Sequence, residues 1–505
     1  MSSILDEIVE HSPEVVSISA GVKQSLVLGL DVGTSGVRAA FFDDHGDEVA
    51  AVKIGRGTSL LSDFTELEPA HLVEEVIEAV DRLLETPIAF GRVDTIAIST
   101  FWHSLLGIDV NGSPTTPLLT WADTRATQIA KAFRSQFDET AIHRRTGCRF
   151  HSSYWPAKLR WLQTEHHSAF ERTATWLGFA EYLALHLCGE IVMGISMASA
   201  TGLLNQRTCD WDWELVNALN VVSDTLPDIQ RHLDVPLSEK LILRWPALAD
   251  AKLRIIVGDG ASNNVGGGCS SKDRIALMVG TSGAMRVVFE GQPPDELPPS
   301  LWCYRIDDRR IVVGGALSDG GGLYRWLRQS LVLDDDPQEL AGEIAGIEAD
   351  SHGLTVLPFW SGERSTGWSG DARGAVLGLT QQTRTVEIVR AALEAIAYRF
   401  ALIARALETV APGAEIVATG NALRSSPVWL QIIADVLGTR VSFGGSPEAS
   451  IRGAALLALE AVGKIDNIEA VPVSVDEVFE PDLNRHARYQ KAIERQEEFY
   501  RKLVS

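Results

Sequence analysis

The chain has 505 residues, too many for one hydrophobic core, so two or more domains are expected. Hydrophobic residues make up 45% and charged residues 22%, an ordinary globular balance, while the net charge of −22 argues against nucleic acid as a partner. No stretch approaches the roughly 18 apolar residues of a membrane span, and the scattered cysteines, without C-x-x-C, fit a reducing, cytoplasmic setting with no structural zinc.

Residues 1 to 23 hold Asp6, Glu7, Glu10 and Glu14 but no basic cluster and no long apolar run. They read as an extension and not as a signal peptide. The first domain, residues 24–262, opens with an apolar run from Leu26 that ends in Asp31 and turns through Val32-Gly33-Thr34-Ser35-Gly36 into a second apolar run. Short apolar runs bounded by glycine read as buried strands, so the glycine segment is a hairpin turn. Its amides and hydroxyls suit an anion such as a phosphate. Leu72, Val73, Val76, Ile77, Val80 and Leu83 then recur at helical spacing behind Pro69, and residues 95–99 form another short buried strand. Hairpin, helix and strand in this order indicate an α/β layer architecture.

That strand leads into Phe101-Trp102-His103-Ser104, and Trp121-Ala-Asp123-Thr-Arg125 follows a further apolar run. Polar-aromatic clusters at strand ends are where open α/β sheets bind ligands. Taken singly, His103 is a satisfied core histidine, and residues 121–125 are as well explained by a solvated loop. The basic, aromatic stretch from Arg144 to Trp161, with Arg145, Arg149 and Lys158, reads mainly as a positive helix face. The next strand ends in Gly258-Asp259-Gly260. With a reference pKa of about 3.9, Asp259 is ionised at neutral pH and able to accept a proton; a helix N-cap is the alternative.

In the second domain, residues 263–505, the turn sequence returns unchanged as Val279-Gly280-Thr281-Ser282-Gly283. Arg286 follows it as Arg38 follows the first copy. A long helix runs from about Val386 to Leu407, with Glu394 facing either solvent or a loop. Thr419-Gly420-Asn421 is a strand-to-helix turn whose amides can lie under a nucleotide's base and ribose. The final helix, from Asn484, is expected to pack across the domains.

Together, the two glycine hairpins, the aspartate between them and the later Thr-Gly turn resemble the FGGY family of carbohydrate kinases, within the actin-like ATPase fold. The resemblance runs from Leu26 to about Gly463. Its most specific element is Gly374-Ala-Val-Leu-Gly378-Leu379 followed, after seven residues, by Glu387 through Glu394. Within the family the chain is most similar to gluconate kinases, on residues 121–125, 199–202, 210–211, 279–286 and 315–326. It departs from the family at Trp102, where methionine is typical, at Asn421, where a second glycine is usual, and at Ser318-Asp319, where two asparagines are common.

The resemblance implies two ribonuclease-H-like domains closing over ATP. In it, Asp259 takes the proton of the attacking hydroxyl, and Gly33, Thr34, Ser35, Gly280, Thr281 and Ser282 hold the phosphates. Asp31 holds Mg²⁺ through water, Gly420 and Asn421 lie beside the adenosine, and Trp102, His103, Trp121, Asp123 and Arg125 contact the substrate. The implied reaction moves the γ-phosphate to a hydroxyl of a sugar or sugar acid, gluconate foremost. A ketose such as xylulose or ribulose is the runner-up, and a chaperone-like ATPase without sugar substrate ranks third. For a substrate carboxylate, Arg125 or a member of the Arg144–Lys158 cluster is the candidate partner. A small molecule is the expected partner, with a homodimer left open and nucleic acid and membrane excluded.

Overall fold

A computed structural model describes residues 25–33, 35–56, 65–86, 91–334, 336–445, 448–472 and 474–504. The extension 1–23 and Thr34 of the first turn lie outside them. Among the described residues no helix is long and apolar enough to cross a membrane.

Two mixed sheets organise the chain. β1 (Ser25–Gly33), β2 (Gly36–Phe42) and β3 (Glu48–Gly55) run antiparallel, and α1 (Pro69–Leu84) leads to β4 (Arg92–Thr100), parallel to β1. A long excursion containing α2 (Trp155–Glu165) returns through β5 (Val235–Pro236) and β6 (Lys252–Gly258). The order of this sheet is β5-β6-β4-β1-β2-β3, and α3 (Asp259–Gly266) leaves directly from the end of β6.

The second sheet repeats the plan. β7 (Arg274–Val279) and β8 (Gly283–Glu290) form its hairpin, and β9 (Trp302–Arg305) and β10 (Arg310–Leu317) extend it antiparallel. After α4 (Gly321–Ser330) and the long α5 (Thr385–Leu407), β11 (Glu415–Thr419) and β12 (Val441–Gly444) add parallel to β7. With β13 (Val475–Phe479) the order is β9-β10-β8-β7-β11-β12-β13. In both sheets the strand entering the glycine turn is central, with parallel neighbours on one side. This is the two-domain α/β architecture expected from the sequence.

β1 is buried along nearly its whole length, and such a strand needs cover on both faces. One cover comes from the far end of the chain. The helix α6 (Ala449–Ala461) lies on β1, β4 and β6 and adds Ile451, Ala454, Ala455, Leu456 and Leu459 to the first core. Each fully buried Leu or Ile contributes about 2 kcal/mol. A division of the chain at residue 262 therefore follows the sheets but not this helix. The last helix, α7 (Leu483–Leu503), does not take the bridging place expected of it; it docks Tyr489, Ala492 and Ile493 into the second core. Glu394 on α5 is fully buried, accepting from Arg390 at 2.6 Å, Tyr489 at 2.9 Å and Tyr398 at 3.0 Å.

Where α6 crosses α3 the two backbones touch. A Cβ added at Gly453 would stand 1.8 Å from the Ser262 carbonyl oxygen, and one at Gly266 would stand 1.9 Å from that of Ala449. Arg452 donates to the Gly266 carbonyl at 2.8 Å and to that of Gly46 at 3.3 Å, fastening the crossing to the β2–β3 turn. Because the clash would be with backbone, no side chain is free to yield. Gly453→Ala is expected to cost about 1–3 kcal/mol, read as a lower urea midpoint, and to reduce turnover because α3 begins with Asp259. An unchanged midpoint would contradict the crossing.

Candidate active site

Five strand ends meet at one cavity of about 770 Å³ between the sheets. β1 brings Asp31 and Gly33, with Ser35 just beyond; the end of β4 brings Trp102 and His103; β6 brings Asp259. From the second sheet come Gly280, Thr281 and Ser282 after β7, and Gly420 and Asn421 after β11. Trp121 joins them from its loop. These are the carboxyl ends of parallel strands, where open α/β sheets leave a crevice for ligands.

The identical pentapeptides do not fold identically. In the first copy Gly33 pairs with Gly36, whereas in the second Val279 pairs with Gly283, which lengthens the turn by one residue. The longer turn offers its carbonyls to the start of α4: the Gly321 amide donates to Gly280 at 2.9 Å, and those of Gly320 and Gly322 to Thr281 at 3.0 and 2.9 Å.

The first sheet contributes two carboxylates. Burial pushes the Asp31 carboxyl up to about 6; a Ser99 hydrogen bond pulls it back and the Asp259 charge adds to the rise. One Asp31 oxygen, Oδ1, is buried without a hydrogen-bond partner. Asp259 is also raised by burial, against the opposing pull of Arg286, of its own N-terminal helix amide at Gly260 (2.8 Å) and of Arg364. Arg286 comes from β8 in the other sheet. It is 8% exposed, its Nε and Nη1 have no partner, and burial lowers it to about 10, leaving it cationic at neutral pH. A Cβ on Gly260 would lie 3.0 Å from Arg286 Nε, so this guanidinium reaches across the cleft to the first turn of α3.

Aromatic rings line the cavity beside the end of β4. The Trp102 indole lies flat over Gly258, where an added Cβ would fall 1.8 Å from the ring, and its Nε1 donates to the Ser196 carbonyl at 3.2 Å. Tyr304 and Trp302 meet it edge-on at 5.1 and 6.2 Å between centroids. His103 has φ 68, in the left-handed region that only a few non-glycine residues visit, histidine among the more frequent. Its Nδ1–H donates to the Ala200 carbonyl at 2.6 Å, which leaves Nε2 as an acceptor. Burial, then the Arg364 charge, holds its pKa well below the usual value, so the ring is neutral. Lys158 supports this loop from behind, donating at 2.7 Å to the carbonyls of both His103 and Thr120. It is fully buried, correcting its placement on a positive surface, and burial lowers its pKa to about 7.

Two expected substrate contacts do not line this cavity. Asp123 is 2% exposed and accepts from Arg125 Nε at 3.0 Å, Nη2 at 2.8 Å and the Arg125 amide at 2.9 Å. Arg125 also pairs with Glu66 at 2.5 Å and lies 4.4 Å over the Trp161 ring, at the border of a neighbouring cavity of about 680 Å³. The two-residue spacing lets the aspartate neutralise the arginine locally, which sequence proximity alone did not distinguish from a shared ligand. Arg145 and Arg149 are likewise held, by Asp212 and Glu139. The cavity instead presents Arg286, Arg364, Trp302 and Tyr304, to none of which sequence reasoning gave a role. For Arg286 the repeat held a signal, an arginine after each turn. Arg38, its counterpart, pairs outward with Glu48 and Glu448.

Known proteins resemble the chain over nearly its whole length. The N-terminal domain profile of the FGGY family of carbohydrate kinases matches residues 26–235, and the C-terminal profile matches residues 275–462. A gluconokinase of Bacillus subtilis is 32% identical over 88% of this chain and 90% of its own. A xylulose kinase of Staphylococcus xylosus is 24% identical over 86% and 90%. The crystal structure of gluconate kinase from Lactobacillus acidophilus superposes with a TM-score of 0.86 at 28% identity, covering 95% of this chain and 99% of that one. A ligand-bound xylulose kinase structure from the same organism gives the same TM-score at 29% identity, so backbone likeness does not separate the two substrates. Carbohydrate kinases use ATP as their phosphate donor. With both domain profiles in order around the cleft, the chain belongs to the FGGY family of carbohydrate kinases and is a phosphotransferase with an alcohol group as acceptor.

Proposed function

We propose that the protein transfers the γ-phosphate of ATP to a hydroxyl of gluconate. The observation that carries this reading is a cleft holding a buried arginine, with two nitrogens free of hydrogen-bond partners, beside a carboxylate base, in a chain nearer in sequence to a gluconokinase than to a xylulose kinase. A ketose stands second, supported by the equal likeness to a xylulose kinase structure.

Asp259 accepts the proton as the hydroxyl attacks. Arg286 and the start of α3 favour its ionised form against the penalty of burial. The neutral His103 offers Nε2 to a sugar hydroxyl, and Trp102 and Trp121 give the ring or chain an apolar wall. The turns at Gly33, Thr34 and Ser35 and at Gly280, Thr281 and Ser282 hold the phosphates from opposite sheets, with Gly420 and Asn421 beside the adenosine. Asp31 fits a hydrated Mg²⁺, since its buried Oδ1 lacks any other partner. Bound there, the ion would supply neutralisation of charge on the phosphate oxygens. Because the phosphate turns belong to different sheets, the cleft must close for transfer, and closure excludes the water that would waste ATP.

ADP release measured against a panel of aldonates, ketoses and glycerol is expected to show turnover with gluconate; ketose turnover with none on gluconate would sink the substrate assignment. Asp259→Asn should lower kcat by about 10²–10⁴-fold, and retained turnover would remove Asp259 as the base. Protonated Asp31 does not bind a cation, so the half-saturating Mg²⁺ concentration should stay flat above pH 6 and climb about tenfold per unit below it. A flat profile down to pH 5 would place the metal elsewhere. Gly258→Ala displaces Trp102 and should reduce kcat/KM by about 100-fold, with partial recovery when combined with Trp102→Met; an additive double variant would show that the two residues act apart.

A further inference from the structure

We propose that Arg364 recognises the carboxylate of an acid substrate and sets the preference for a sugar acid over a neutral sugar. This inference rests on the gluconate reading above.

The loop that carries Arg364 is fixed on both sides of it. Glu363 is 1% exposed, with its carboxylate bonded by Arg399 and Tyr500 at 2.6 Å each. Ser365 donates its amide to the Ala316 carbonyl at 2.9 Å and accepts the Ala316 amide on Oγ at 3.1 Å. The Arg364 carbonyl itself accepts from the Trp368 amide at 2.7 Å. Both neighbours are thus spent on the second domain, and the Arg364 side chain is delivered to the cavity, its guanidinium 5.5 Å over the Trp121 ring. A guanidinium held over an indole face can still offer its N–H donors as two parallel hydrogen bonds to a carboxylate.

Among the described residues, the Arg364 guanidinium makes no ion pair and no side-chain hydrogen bond. Its charge acts on the neutral His103 and His151, the phenols Tyr154 and Tyr304, the second cation Arg286 and the Asp259 carboxylate. Arg286 and Arg364 both act on Asp259, a carboxylate that the proposed reaction needs for itself. An anionic substrate group supplies the missing charge. The other cations near the sugar side are already committed: Arg125 to Asp123 and Glu66, Arg149 to Glu139, Lys158 to two carbonyls. Arg325 and Arg328 reach the cavity from α4, and Arg325 also borders the neighbouring cavity beside Trp121 and Arg125.

The test compares gluconate with the neutral hexitol of the same skeleton, in which a hydroxymethyl replaces the carboxylate. Wild type, Arg364→Gln and Arg364→Lys are assayed for kcat and KM, and gluconate binding without nucleotide is followed by equilibrium dialysis. Arg364→Gln should raise the gluconate KM and dissociation constant about 10- to 100-fold. The acid-to-hexitol ratio of kcat/KM should fall by a similar factor, and Arg364→Lys should recover part of it. An unchanged gluconate KM and dissociation constant in Arg364→Gln, with a wild type that uses gluconate, overturns the role of Arg364 and leaves the gluconate reading standing. A wild type inactive on gluconate overturns that reading itself. If the Gln variant does not fold, Arg364→Lys decides alone: a several-fold rise in gluconate KM supports the assignment and an unchanged value overturns it.

Discussion

The contact between α3 and α6 brings residues 259–266 and 449–461 together without any side chain between them. Both helices use glycine at the crossing, so the distance is set by backbone van der Waals surfaces and cannot relax by a rotamer change. Everything at the catalytic end of the cleft hangs on this. α3 begins with Asp259, α6 covers the strand that carries Asp31, and Arg38 and Arg452 fasten the same helix to the first hairpin and its neighbouring turn. The second half of the chain therefore holds the first half's carboxylates in place, which couples the two sheets more tightly than their separate hydrogen-bond ladders imply.

Within that frame the cleft is electrostatically incomplete. Asp31 and Asp259 are raised by burial, Arg286 is lowered by it, Arg286 Nε and Nη1 have no hydrogen-bond partner, and among the described residues Arg364 makes no ion pair. Burying charges without pairing them costs free energy that the rest of the fold must offset. Such a cost is characteristic of sites whose counter-charges arrive with the ligand, where fixed dipoles and ions need no reorganisation at the moment of reaction. Phosphates, a cation and an acid substrate would each satisfy one of these open groups, and closing the cleft around them would strengthen every such interaction by excluding water.

Much of this was legible along the chain. The buried strands, the two turns and the strand-end position of Asp259 follow from local patterns of apolar residues and glycine, and the strand ends meet because parallel strands in one sheet place their carboxyl ends together. Misreadings arose wherever partners were distant. Lys158 looked exposed because its two carbonyl partners lie at residues 103 and 120. Arg125 looked available because the spacing that neutralises it is the same spacing that could serve a ligand. Glu394 could not be placed because Arg390 is local to it but Tyr489 and His352 are not.

By itself the sequence determined the α/β class, the duplication of the glycine turn and the identity of the carboxylates at the strand ends, since backbone conformation and burial periodicity act over a few residues. Only the tertiary structure decided that the two identical turns adopt different registers, that α6 serves the first sheet, and that Arg286 and Arg364 line the cleft while Asp123 and Arg125 do not. Those outcomes depend on which charges find partners after the sheets pack, and a counter-ion contributed from another element leaves no periodic trace in the chain.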